Sequence, residues 1–224
     1  LHGSSKINKN GHLEIGGCDT VELAKTYGTP LYVMDEYLIR TQIREMVTAL
    51  KKTELPFRIA YASKAFLTLA MARIVEEEGL MLDVVSEGEL YTALEAGFPS
   101  ERIYFHGNNK SPFEIEYALK NRIGCFIVDN FTELEMLSSL AKELDLPAKA
   151  LLRITPGVEA HTHAYIQTGQ EDSKFGFDLL SGQAEKAALI AEEASHIDLL
   201  GFHCHIGSQI FEMKAFDLAI EKMA

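Results

Sequence analysis

The sequence predicts an α/β fold of the (β/α)8 TIM-type barrel class, and three observations carry that prediction. Short apolar runs alternate with amphipathic stretches of helical period from about residue 57 onward. Six such runs recur at intervals of roughly twenty residues, with one longer gap. No G-x-G-x-x-G follows the first run, which separates the pattern from a dinucleotide-binding sheet. The pattern does not close. After the sixth run and a loop, residues 211–224 read as one more amphipathic helix that stops without a cap, so the barrel looks truncated after about six strands.

Each element has a local warrant. Leu31–Met34 reads as a short strand and Glu36–Lys51 as a helix. Residues 1–35 are therefore expected to contribute a strand to a second β-domain, and residues 36–224 to form the barrel. Phe57–Tyr61 opens the barrel and leads to a helix over Leu67–Glu78. Met81–Val85 leads to a helix over Glu87–Ala96, where Ser86 and Glu89 form a capping box that satisfies orphan amides. Ile103–His106 precedes a helix over Pro112–Asn121, started by Ser111 before Pro112. Cys125–Val128 precedes Phe131–Leu144; Ala150–Ile154 is followed by a long loop and a helix over Gln183–Ala194; Ile197–Cys204 is the last strand.

The 224 residues are 47% hydrophobic with a formal net charge of −12, ample for a large core. The acidic balance and the lack of a basic run argue against nucleic acid, whose phosphates need clustered Lys and Arg. Cys18, Cys125 and Cys204 are far apart and odd in number, which suits a reducing compartment and predicts a cytoplasmic protein. No stretch approaches the roughly 20 continuous apolar residues of a membrane helix, and Leu1-His2-Gly3-Ser4-Ser5 lacks the apolar core of a signal peptide, so no membrane association is expected.

In such a barrel the reactive face is the C-terminal end of the strands. Lys64 stands where the first run ends, in Arg58-Ile59-Ala60-Tyr61-Ala62-Ser63-Lys64. An amine is nucleophilic only when deprotonated, and apolar burial or a neighbouring cation favours that form, as Schiff-base chemistry requires. Alone, Lys64 reads as a solvated lysine opening a helix. The other strand ends supply Asp83 with Ser86, Glu87 and Glu89; His106-Gly107-Asn108-Asn109-Lys110; Arg153 and Thr155; and His203-Cys204-His205-Ile206-Gly207-Ser208-Gln209. A lysine, carboxylates, an arginine and histidines on one rim exceed what exposed turns require.

Two chemistries could use this set. His203, Cys204, His205, His161 and His163 invite a zinc site. No third carboxylate stands at ligand spacing and Lys64 would be idle, so no metal is expected. A carbonyl cofactor held by Lys64, with a histidine stacked on its plane and the amides of a Gly-Ser turn near its phosphate, gives each group a task.

The segments Tyr61-Ala62-Ser63-Lys64-Ala65, Asp83-Val84-Val85-Ser86-Glu87-Gly88-Glu89, His106-Gly107-Asn108-Asn109-Lys110, Leu152-Arg153-Ile154-Thr155-Pro156-Gly157-Val158 and His203-Cys204-His205-Ile206-Gly207-Ser208-Gln209 resemble those of diaminopimelate decarboxylases. The resemblance extends over essentially the whole chain. These are pyridoxal-phosphate enzymes built on an alanine-racemase-like barrel plus a C-terminal β-domain, beside the ornithine and arginine decarboxylases. The lysine motif and the Gly-Ser turn belong to that wider group. His161-Thr162-His163-Ala164-Tyr165-Ile166-Gln167-Thr168-Gly169 through Ser173-Lys174-Phe175-Gly176 is similar to the diaminopimelate branch.

The resemblance implies pyridoxal 5'-phosphate as cofactor, Lys64 as its Schiff-base lysine, His205 stacked on its ring and Ser208 beside its phosphate. Asp83, Glu89 and Arg153 would line the cofactor pocket and hold its hydrogen-bond network. Residues 161–176 would be a loop over the site, with Lys174 meeting an acidic group. The implied reaction is decarboxylation of meso-2,6-diaminopimelate at its D centre to L-lysine and carbon dioxide, in a homodimer with shared active sites. The glycine-rich phosphate loop and the substrate-gripping residues would lie past residue 224, so residues 1–224 alone are expected to show little activity. Rival readings are a non-catalytic pyridoxal-phosphate-binding barrel, another basic amino-acid decarboxylase, or a racemase, which needs a second acid/base group on the opposite ring face.

Overall fold

Hairpin chemistry organises the first residues. The computed structural model describes residues 1–158, 174–208, 210 and 213–224, and the chain divides into one unit of residues 1–59 with 77–79 and another of residues 60–76 with 80–224. In the first unit β1 (Lys6–Ile7), β2 (Leu13–Ile15) and β3 (Cys18–Asp19) form an antiparallel sheet in that order. Gly16 and Gly17 turn β2 into β3 with φ of 59° and 81°, the left-handed pair that a two-residue hairpin demands. Asp19 then caps α1 (Thr20–Tyr27), its Oδ1 accepting from the Val21 amide at 2.8 Å.

The sheet and α1 were not expected, because strands of two or three residues show no period; Asn10-Gly11 and Gly16-Gly17 were the available signals. Leu31–Met34 is a correction. It joins no ladder among the described residues, and Tyr32 is 96% exposed. An apolar run shows what could pack, but a strand also needs partner backbone. The helix α2 (Glu36–Lys51) forms as expected, capped by Asp35 on the Leu38 amide at 3.1 Å. Among the described residues no helix is long and apolar enough to cross a membrane.

The second unit holds the parallel strands of the partial barrel. It contains β4 (Ala60–Ala62), α3 (Leu69–Glu77), β5 (Met81–Val84), α4 (Glu87–Glu95), β6 (Ile103–Phe105), α5 (Pro112–Lys120), β7 (Cys125–Val128) and α6 (Phe131–Leu144). β8 (Ala148–Thr155), β9 (Phe177–Asp178), α7 (Gln183–Glu193), β10 (Ile197–Cys204) and α8 (Met213–Met223) follow. Six strands pair in parallel in the order β10-β8-β7-β6-β5-β4, and β9 adds beside β8. β7 is buried along its whole length, as a strand covered on both faces should be. Leu90, Ile115, Leu134 and Leu137 of the helices and Leu82, Phe105, Phe126 and Leu152 of the strands supply the core.

Two local details position the rim. Ser86 caps α4 through the Glu89 amide at 3.3 Å, but the Glu89 carboxylate takes the Val85 amide at 2.6 Å, so the expected box is half formed. The complete box is Ser111–Glu114, with bonds of 3.2 and 2.8 Å. In β10 the register slips by one residue between Leu199, opposite Ala150, and Gly201, opposite Leu151. This bulge places His203 opposite Arg153. Without it, the period of two would turn His203 to the face of Ile154.

Candidate active site

Among the described residues the buried polar side chains are Ser63, Lys110, Asp129, Glu133 and Thr155. Each stands at or just past the C-terminal end of β4, β6, β7 or β8. Burying a polar group is costly unless it is paired, so five at one end of a parallel sheet mark a built site. Lys110 Nζ donates to the Gly107 and Ile127 carbonyls at 2.8 and 2.9 Å and to Glu133 Oε1 at 2.7 Å. Glu133 Oε2 in turn accepts from the Asp129 amide at 3.0 Å. Burial pushes the Lys110 ammonium down and the Glu133 carboxyl up from their ordinary ranges, against the attraction between them.

Asp129 faces Arg153. Its Oδ1 lies 3.5 Å from Arg153 Nη1, and its Oδ2 accepts from the Gly176 amide at 3.1 Å. The Arg153 guanidinium also lies 4.4 Å from the centroid of Phe175, a cation–π contact. Burial raises the Asp129 carboxyl and lowers the Arg153 guanidinium, and each charge opposes the other's shift. Lys174, expected to meet an acid, lies with Nζ 5.1 Å from the Phe175 centroid.

A second string runs from β5. Asp83 Oδ2 is 3.4 Å from His106 Nε2, and the His106 and His203 rings meet edge to face at 5.0 Å. Burial first, and then the neighbouring His106 imidazole, Arg153 guanidinium and His205 imidazole, lower His203 to about 3. His205, half-buried just past β10, is lowered first by burial and then by the charges of Arg153, Lys64 and His106. It stands just past the C-terminal end of β10, the rim expected to carry the site. Lys64 sits exposed in the 3-10 turn Ser63–Ala65 that ends β4. Ser208 is exposed after Gly207, whose φ of 136° suits glycine.

The structure thus brings Asp83, Arg153 and His205 to one rim, with Lys64 just past the end of β4, while Glu89 spends its described bond on the β5–α4 turn. His161 and His163 lie outside the described residues. Sequence reasoning passed over Asp129 and Glu133 altogether and left His106, Lys110 and His203 without roles. The signal for the first two was Asp129-Asn130 at the end of an all-apolar strand, with Glu133 at capping distance.

A half-barrel whose strand ends carry a lysine, an arginine and a half-buried imidazole has the groups that a carbonyl cofactor requires. Residues 38–224 match the family described as "Pyridoxal-dependent decarboxylase, pyridoxal binding domain", and the chain belongs to that family. Over 223 residues it is 59% identical to the diaminopimelate decarboxylase of Bacillus methanolicus, covering 100% of this chain and 52% of that protein. To the diaminopimelate decarboxylase of Bacillus subtilis (strain 168) it is 60% identical, covering 100% and 51%. The crystal structure of the M. jannaschii diaminopimelate decarboxylase superposes with a TM-score of 0.90 at 40% identity, covering 98% of this chain and 51% of that one. The same enzyme in co-complex with L-lysine gives a TM-score of 0.89 at 40% identity over the same shares. The chain spans about half the length of these relatives.

Proposed function

We propose that this chain carries the pyridoxal-phosphate-binding barrel of a diaminopimelate decarboxylase, which converts meso-2,6-diaminopimelate at its D centre to L-lysine and carbon dioxide. The observation that carries the reading is identity of 59% and 60% along the whole chain to proteins of that name. The rim fits the cofactor. Among the described residues, Ser63 Oγ, Asp83 Oδ1, Asp129 Oδ1 and His203 Nδ1 are buried without a hydrogen-bond partner, and the charges of Lys64 and Arg153 suit a phosphate or a carboxylate.

When bound, pyridoxal phosphate supplies an aldehyde for Lys64 and an electron-withdrawing ring that takes up the electron pair left by carbon dioxide. The chain's own residues hold and shape that chemistry. Lys64 presents its amine at the end of β4. His205, kept neutral by burial and by surrounding positive charge, offers a flat uncharged ring for stacking. Asp83 orients His106, and Arg153 contributes a fixed charge. Glu89 closes the turn that follows Asp83. Ser208 offers a hydroxyl beside the Gly207 turn.

Residues 1–35 belong, in this reading, to a second β-domain and residues 36–224 to the barrel; the family match beginning at residue 38 supports that division. A homodimer with shared active sites and a cytoplasmic location follow from the likeness to the decarboxylases, and sedimentation and fractionation test them. Borohydride reduction of the pyridoxal-phosphate-loaded holoprotein, followed by peptide mapping, is expected to place the adduct on Lys64. In the complete enzyme, meso-diaminopimelate is expected to yield carbon dioxide and L-lysine. Adduct spread evenly over surface lysines overturns the site, and epimerised diaminopimelate without carbon dioxide overturns the reaction in favour of a racemase.

A further inference from the structure

We propose that Asp129 is the positioning residue of this rim: one buried carboxylate that pairs by charge, without a hydrogen bond, with the Arg153 guanidinium through one oxygen and accepts the Gly176 amide with the other. The inference rests on the reading of the rim as the pyridoxal-phosphate pocket.

Three constraints make Asp129 a fixed point. Its own amide is bound by Glu133 Oε2 at 3.0 Å, and Glu133 is gripped by Lys110 at 2.7 Å. Asn130, the next residue, accepts from the Glu133 amide at 2.9 Å and donates to the Asn108 carbonyl at 3.2 Å. The carboxylate therefore projects from backbone that buried bonds hold on both sides. Its oxygens then divide. Oδ1 stands 3.5 Å from Arg153 Nη1, and Oδ2 takes the Gly176 amide at 3.1 Å.

The Gly176 bond places a second restraint on Arg153. Gly176 has φ of 78°, and a Cβ there would fall 2.9 Å from both the Arg153 carbonyl oxygen and Thr155 Oγ1, so this backbone lies directly on β8. Thr155 Oγ1 donates to the Phe175 carbonyl at 2.6 Å, and the Phe175 ring lies 4.4 Å from Arg153 Cζ. Asp129 thus restrains Arg153 directly through charge and indirectly through the segment that carries Phe175. Arginine is long and rich in rotamers, and a fixed charge acts on a reacting group only when its geometry is held. A carboxylate buried to 2% exposure is a poor stabiliser by itself, so placing charge is the task that accounts for it.

A double-mutant cycle tests this. Asp129→Asn, Arg153→Gln and the double variant are titrated with pyridoxal phosphate by absorbance, and exchange of the Gly176 amide is followed by NMR. Asp129→Asn is expected to weaken pyridoxal-phosphate binding about tenfold in the wild-type background but less than about twofold beside Arg153→Gln. The Gly176 amide is expected to exchange at least about tenfold faster in Asp129→Asn. Equal losses in both backgrounds would make Asp129 merely structural and overturn the proposal. If Arg153→Gln alone leaves the affinity unchanged, the placement of Arg153 in the pocket fails instead, and Gly176 exchange decides whether Asp129 holds that segment. Should Asp129→Asn not fold, the wild type decides: a Gly176 amide that exchanges like an unprotected one overturns the proposal.

Discussion

Lys110 Nζ and Glu133 Oε1 lie 2.7 Å apart with side chains 2% and 3% exposed, at the same end of the sheet as Arg153 and His203. Burial opposes the charged form of each group more strongly than the partner supports it. The pair therefore contributes geometry more than stability. It joins Gly107, Ile127 and the Asp129 amide at one point.

Removing one partner leaves the other charge buried alone. Lys110→Met is expected to cost about 3–5 kcal/mol in urea unfolding, whereas Lys110→Met with Glu133→Leu recovers most of that loss. A double variant as unstable as the single one would show that the pair is a net stabiliser.

His203 is held near 3 against an ordinary value of 6.5, so the folded state binds fewer protons than the unfolded state between those values. Its contribution to stability is complete above pH 6.5 and declines as pH falls toward 3, by about 1.4 kcal/mol per pH unit. His203→Asn is expected to flatten that slope, and the His203 ring signals in NMR to stay those of neutral imidazole at pH 5. A ring that titrates near pH 6 would contradict the burial argument.

In the first unit Glu78 accepts from Arg44 at 2.8 and 2.6 Å and from Arg40 at 2.8 Å. These guanidinium groups, Arg44 first, lower its carboxyl from 4.5 to about 2. A depressed carboxyl stabilises above its unfolded value and loses that contribution as pH falls through the folded one. Glu78→Gln is expected to cost about 1 kcal/mol at pH 7, and the difference from wild type to vanish between pH 4.5 and 2. Denaturation curves across that range check it.

Lys64→Ala is expected to abolish the borohydride-fixed adduct and to lower carbon dioxide release by about a thousandfold or more, as loss of a covalent residue does. His205→Leu keeps bulk but removes the flat ring. It is expected to weaken pyridoxal-phosphate binding by about 0.5–1.5 kcal/mol, the range of ring-stacking contributions. Absorbance titration reads both variants.

Phe131–Leu144 and Ile197–Cys204 form over the predicted spans, and Lys64, Asp83, Arg153 and His205 fall at strand ends as expected. These follow from local period and capping, which involve residues a few positions apart. Other elements escaped for physical reasons. The hairpins of residues 6–19 are too short for a period, and Leu31–Met34 has the composition of a strand without a ladder. Glu89 had the spacing of a full capping box, yet its carboxylate reached Val85.

Chain order and side-chain chemistry alone defined an alternating α/β half-barrel with a lysine at the first strand end and an arginine and histidines at the later ones. Packing alone set which of those groups meet. A one-residue slip between Leu199 and Gly201 resets the register of β10 and so sets His203 opposite Arg153. Asp129, Glu133 and Lys110 become one buried network because β6 and β7 pair in a register that places their following turns side by side. Register depends on contacts between strands distant in sequence, and no local pattern of residues encodes that contact.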